Sequence, residues 1–293
     1  MRIRLIISIL YLILGIMSVY TSVMIFFVPM FTVPLVKFHL GSKLTQEYIF
    51  LDFTIGLLMY FLSNTLIAPI IYITLIIMPA YSIIRAQEKK LVNNPSLILV
   101  TGTIIWGGLL LQGQLLVRYG YSYYEEYKIM IEQFLKPIKE DPNYLIFHQG
   151  IEELFISLYP STLFMSALLM GLLAVMVNRR RKQLRLVMDQ LLSFRLSKGI
   201  LLLALVAIVM LTMNEIQYAT EVGANLLFII FILFYISGLF GIISYVTKLS
   251  LSTTTKLVCI VLMVLLLPVV PILPLLYGFF DTIFNFRRVE LVI

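Results

Sequence analysis

The sequence predicts an all-α fold: a polytopic bundle of transmembrane helices, about eight spans, with an amphipathic helical cap on the outer side. Three observations carry this. The 293 residues are 61% hydrophobic and only 13% charged, against about 25% charged in a soluble domain. So little polar surface cannot cover a globule in water, and most of the chain must use lipid as its solvent. Long apolar runs recur along the chain, separated by short charged stretches. Finally, the charge is sorted. Residues 178–198 hold Arg179, Arg180, Arg181, Lys182, Arg185, Arg195 and Lys198 against Asp189 alone, almost the whole formal net charge of +7. A dense basic loop between two membrane-length runs marks a cytoplasmic loop.

Taken in order, residues 1–38 open with Arg2 and Arg4 and stay apolar to about Phe38. As one helix they would reach roughly 50 Å, too long for a ~30 Å hydrocarbon core. Pro29 and Pro34 should break the run into a span plus a bent helix, or into two short spans. No small-residue cleavage site follows the first apolar stretch, so no removable signal is expected. Residues 44–117 form the central spans: 44–62 with Asp52 inside, 65–84 softened by Pro69 and Pro79, and 95–117 with Trp106, Gln112, Gln114 and three glycines.

Residues 118–158 are the one sizeable polar region, and acids outnumber bases there. Apolar residues recurring in steps of three and four predict an amphipathic helix over 122–136, with Tyr127, Met130 and Phe134 turned inward. The next spans are 159–177, 196–213 and 222–246. The last segment, 257–293, is a terminal helix broken by Pro268, Pro271 and Pro274, because each proline removes a backbone donor and crowds the preceding turn. Beyond the break, Tyr277, Asp281, Asn285 and Arg288 share a helix face, which brings Asp281 within reach of a basic group.

Counting outward from the basic loop places 118–158 outside and 178–198 in the cytoplasm, in a multi-pass membrane protein. The test is cysteine labelling in intact cells of Glu132→Cys and Gln183→Cys, with Cys259 replaced. An impermeant reagent should modify position 132 and spare 183; the reverse pattern overturns the topology.

Because the basic residues sit in one short loop, the expected partner is the anionic lipid surface rather than nucleic acid. The single cysteine, Cys259, can form no internal disulfide and reads as packing. No phosphate-binding glycine loop, GxSxG elbow or HExxH occurs, so neither a catalytic site nor a cofactor is expected. His148 and Glu152 share helical spacing, with Glu153 beside them. Zinc needs at least a third protein ligand, and His39 falls across the membrane, so no metal site is expected either.

The residues left for function are polar groups inside spans. Asp52, an ionisable group in hydrocarbon, is a site candidate by default; the plainer reading is a hydrated carboxylate near the headgroups. If it faces the bundle interior, Gln112 or Gln114 should lie near it. Trp106, Gln112 and Gln114 could wall a solute pocket, or the neighbouring glycines could simply allow close helix packing. Asp281 completes the set. Arg179, Arg180, Arg181 and Lys182 are the cytoplasmic anchor.

In the second half, Tyr159-Pro160-Ser161 opens a span that exits through Asn178-Arg179-Arg180-Arg181-Lys182. Phe194-Arg195-Leu196-Ser197-Lys198 leads into the next, and the chain closes on Leu275-Leu276-Tyr277-Gly278-Phe279-Phe280-Asp281-Thr282-Ile283-Phe284-Asn285-Phe286-Arg287-Arg288. Over roughly 155–290 this resembles the DUF2232, or YybS-like, family of bacterial polytopic membrane proteins, with Ser197 where proline is more usual; in the first half the likeness fades to a pattern of spans. The family has no assigned activity. Its span pattern is similar to the membrane-embedded substrate-binding subunits of energy-coupling vitamin transporters. That likeness is one of fold and not of function. Spans broken by proline and glycine, with scattered polar groups, are what midplane binding sites are built from, so the expected function is solute binding or transport of a small molecule without catalytic chemistry. The alternative is a membrane scaffold that recruits envelope or cytoplasmic protein partners through 178–198 and 118–158.

Overall fold

The computed structural model describes residues 46–88, 94–139, 152–177, 181–213, 215–216, 218–266 and 270–287. The expectations for 1–38, His39, His148, Arg179, Arg180 and Arg288 lie outside them, as do the side chains of Arg181 and Lys182. Among the described residues the regular structure is helical and no strand occurs. Four helical stretches, Ile67–Ala86, Asn94–Val117, Tyr159–Val177 and Ala219–Lys248, are long and apolar enough to cross a membrane. Four shorter apolar stretches, Asp52–Ser63, Gly199–Thr212, Thr253–Met263 and Ile272–Phe284, accompany them. The chain divides into two compact units at Leu184/Arg185.

The first unit starts with α1 (Gln46–Ser63). It ends where Asn64, at φ 52°, donates its amide to Tyr60 O at 2.8 Å. A left-handed Asn closes a helix in this way at little steric cost. The next span is not a uniform α-helix. It runs as α2 (Ile67–Ile71), one π-helical stretch (Tyr72–Ile77) and α3 (Met78–Glu88). Pro79 explains the change. It has no amide to give to the carbonyl four residues back, and a widened turn is one way a helix absorbs the loss. The Met78 amide accordingly reaches Ile73 O, five residues back.

α4 (Asn94–Val117) and α6 (Tyr159–Val177) cross at small residues. A Cβ on Gly171 would stand 2.9 Å from Gly102 N, and Gly102 in turn faces Leu168 and Ala167. Close backbone approach is what holds helices together in lipid, where no hydrophobic drive remains between them. Ile67, Ile71, Leu75, Ile105, Leu109, Ala167 and Met170 form the core around this crossing.

The expected cap helix is present as α5 (Tyr123–Lys139), but its inner face differs from the expected one. Ile131 and Leu135 are buried, whereas Met130 and Phe134 are 55% and 71% exposed. The buried stripe steps by four from Tyr127. The sequence offers apolar residues at 130 and 131 and again at 134 and 135, so spacing alone fits either register.

Within the basic connection 178–198, residues Arg181–Leu192 form helix α7. Val187 and Leu191 are buried while Leu186 and Met188 are exposed.

In the second unit, α8 (Gly199–Thr212) and α9 (Ala219–Lys248) form a hairpin. Gly223 admits the backbone at Ala207 and Leu211. Of the α8 residues only Ala207 is buried, and the exposed Leu202, Leu203, Leu205 and Ile208 suit a lipid-facing helix. α10 (Thr253–Leu266) and α11 (Ile272–Phe284) are separate, so the expected proline break is there. α11 packs on α9 through Gly238 and Gly278, so tightly that a Cβ on either would sit under 2 Å from a carbonyl oxygen of the other helix. Leu196, Ile230 and Phe234 form the core of this unit.

Candidate functional site

Asp52 lies in the interior, 7% exposed. Its partners are not the amides of α4. One carboxylate oxygen accepts from the Tyr72 hydroxyl at 3.3 Å and the other from the Tyr81 hydroxyl at 2.5 Å. Sequence spacing hides this pair. Nine residues at 100° each put Tyr72 and Tyr81 on opposite faces of an α-helix. The π-helical stretch absorbs about one residue, which reduces the angle between them to roughly 80° and lets both reach one carboxylate. On the residue after Tyr81, Ser82 Oγ lies 3.1 Å from Oγ1 of the fully buried Thr101 of α4. α3 therefore carries a second polar contact within the first unit.

A second cluster stands about 16 Å further along α4, taking 1.5 Å per residue from Thr101 to Gln112. Gln112, 4% exposed, donates from Nε2 to the Tyr123 hydroxyl at 2.9 Å. Its Oε1 is buried with no hydrogen-bond partner. Burial above all, then the nearby Tyr121, Glu126 and Tyr159, pushes the Tyr123 hydroxyl up to about 12, so it keeps its proton at physiological pH. The Tyr121 hydroxyl donates to Glu126, and that bond raises its own pKa. Tyr159 packs edge-on against Tyr124 and tilted against Tyr127, at ring distances of 5.7 and 5.2 Å. Trp106 is turned aside: its indole nitrogen donates to Pro160 O at 2.8 Å and its ring meets Phe164 edge-on. Gln114 is exposed. Two residues from Gln112 is 200° around a helix, so the two amides cannot share a pocket, and Gln114 leaves the candidate set.

Asp281 belongs to the second unit and is fully buried there. The basic partner expected for it is Arg287, whose Nη2 lies 2.7 Å from Oδ2. The same guanidinium donates to Leu192 O, Phe194 O and Ser237 Oγ at 3.0, 2.7 and 3.3 Å. Arg195 returns the arrangement, donating to Asp281 O and Thr282 O at 3.0 and 2.9 Å. These are carbonyls of the last turn of α11, where amide donors run short; Asp281 O also accepts the Asn285 amide at 2.9 Å. Every partner on this list is an intramolecular peptide or side-chain group, so Asp281 reads as a lock between segments. In the sequence Arg195 counts only toward the charge of the basic stretch; its neighbour Phe194, packed on the core, is the signal that this arginine turns inward.

Glu152 is half-buried and Glu153 exposed. Among the described residues no group of acids, His or Cys could hold a metal. Cys259 is half-buried. No curated protein and no solved structure matches the chain. A family described as predicted membrane protein (DUF2232) matches residues 9–282, so the likeness is not confined to the second half and takes in the helices that carry Asp52 and Gln112. The chain is a member of the DUF2232 family of predicted membrane proteins.

Proposed function

We propose that this membrane protein binds or transports a small solute without catalytic chemistry of its own, in the bacterial cytoplasmic membrane, and that Asp52 is the polar group about which its first unit does so. The observation that carries the reading is the buried carboxylate oriented by Tyr72 and Tyr81. A carboxylate at the centre of a bilayer costs about 2.5–3.5 kcal/mol on insertion scales, and such groups mark solute and ion paths. A non-α turn beside it is a common accompaniment of such sites. Native mass spectrometry of the purified full chain is the test. A small molecule should accompany the wild type and fall at least tenfold in Asp52→Asn, which keeps the shape and removes the charge. Retention in Asp52→Asn removes Asp52 as the anchor.

A membrane scaffold is the second reading, favoured by the exposed Leu186 and Met188 on α7, beside the basic residues of that helix. Reproducible protein partners with no small molecule would decide for it.

A further inference from the structure

We propose that α5 is sunk into the membrane interface at the Val117 end of α4, with Met130 and Phe134 seated on lipid acyl chains rather than facing water or a protein. This surface is independent of Asp52.

α5 has three distinct flanks. Tyr127, Ile131 and Leu135 form one of them. Ile131 and Leu135 are buried, and the Tyr127 hydroxyl donates to Phe155 O at 3.0 Å, so protein holds this flank. At 100° per residue, Met130 and Phe134 lie about 80° to one side of it, with Tyr123 between them. Glu125, Lys128, Glu132 and Lys136 lie about 100° to the other side. The exposed apolar pair and the charged row therefore stand on opposite sides of the helix. Ile129 alone among the apolar residues of 123–135 turns toward the charged row. Glu126, at the edge of the apolar flank, accepts the Tyr121 hydroxyl. Full burial of a Met or Phe side chain is favourable by about 1.5–3 kcal/mol, and the protein leaves most of that gain at 130 and 134 untaken.

Depth says what covers the pair. The Gln112 amide nitrogen and the Tyr123 hydroxyl are 2.9 Å apart, and the Tyr123 ring lies 3.9 Å from where a Gly113 Cβ would stand. Both positions precede Val117, the last residue of α4, by a distance of roughly 6–8 Å at 1.5 Å per residue. The start of α5 is thus held beside the last turns of an apolar span, not above them. Interfacial helices bury their apolar face ~5–10 Å into the headgroup–acyl boundary, which is the same depth. The surface around it is continuous with lipid: Leu111 and Val117 of α4 are exposed, and Tyr119, Tyr121 and Tyr124 stand exposed about the turn, as in the aromatic belt of a membrane interface. Three acids against three lysines leave α5 without net charge, so apolar burial, not attraction to anionic headgroups, keeps it there.

Spin labels test this in the full chain carrying Cys259→Ser, in nanodiscs of phosphatidylcholine alone. Glu125→Cys, Met130→Cys, Phe134→Cys and Lys136→Cys each take one label. All four side chains are exposed, so the label displaces no packing. Power saturation with oxygen, which concentrates among acyl chains, and with a water-soluble nickel chelate gives two accessibilities. Labels at 130 and 134 should meet oxygen freely and the chelate about fivefold less than labels at 125 and 136. Equal access of the chelate to all four puts the apolar pair in water and overturns the proposal. Low access of both reagents at 130 and 134 means that protein covers the pair, and overturns it in favour of a docked chain.

Discussion

Gly278→Ala is expected to lower the melting temperature in detergent by roughly 6–12 °C or to prevent folding of the second unit. The added Cβ would lie 1.9 Å from Phe234 O and 2.8 Å from its carbonyl carbon. Neither atom can turn away, because both belong to the α9 backbone. The helices must separate by more than an ångström, and every contact along the crossing is lost with that step. Overpacking of a well-packed site costs about 1–3 kcal/mol, more where backbone has to move, and 3 kcal/mol corresponds to the shift given above for a chain of this size. Gly238→Ala should behave alike, its Cβ falling 1.7 Å from Pro274 O. Gly56→Ala and Gly107→Ala, which meet nothing within 4 Å, are the controls and should be neutral or slightly stabilising, since alanine is the better helix former. Thermal unfolding followed by size-exclusion fluorescence reads all four. Equal melting of Gly278→Ala and Gly107→Ala would remove the crossing as described.

Replacing Arg287 by leucine should cost about 3–5 kcal/mol, the usual penalty when one member of a buried pair is left alone. Asp281 and Arg287 side chains are 0% and 4% exposed, so water cannot take over either role. Asp281→Leu with Arg287→Leu should recover only part of the loss. The double change removes the stranded charge, but Leu192 O and Phe194 O still lose their donor. Arg287→Lys should fall near leucine, because a point-charge ammonium cannot serve a carboxylate and two carbonyls in the directions a planar fork does. Chemical denaturation in mixed micelles gives the ranking. Full recovery in the double variant would reduce the network to its ion pair.

Four membrane-length helices and the break before α11 were legible in the sequence because lipid imposes a strong constraint: long apolar runs must be helices, and prolines interrupt them. That Asp281 would meet a basic group was legible from the arginines that follow it; that the group is Arg287 was not, because α11 stops at Phe284 and the left-handed Asn285 turns the chain out of the helical register. Asp52 shows where such reading stops. Its burial followed from the cost of exposing a carboxylate to lipid, but its partners depend on a change of helix pitch, and no count at 100° per residue brings Tyr72 and Tyr81 together. The register of α5 failed because adjacent apolar pairs at 130–131 and 134–135 support two faces equally. Gln114 failed because its distance from Gln112 in sequence was taken for nearness in space.

The exchange of arginines in the second unit also sets an order of events in biogenesis. α8 and α9 can leave the insertion machinery as a hairpin as soon as they are made, but Ser237 and the carbonyls of 192 and 194 gain Arg287 only after translation has passed the final helix. Until then a membrane-embedded hydroxyl and two peptide oxygens near it lack the arginine, and α11 on its arrival is held by the glycine crossing and by Arg195, which is already made. The nascent chain thus passes through an interval, ended when Arg287 is added, in which its second unit is packed but not yet locked.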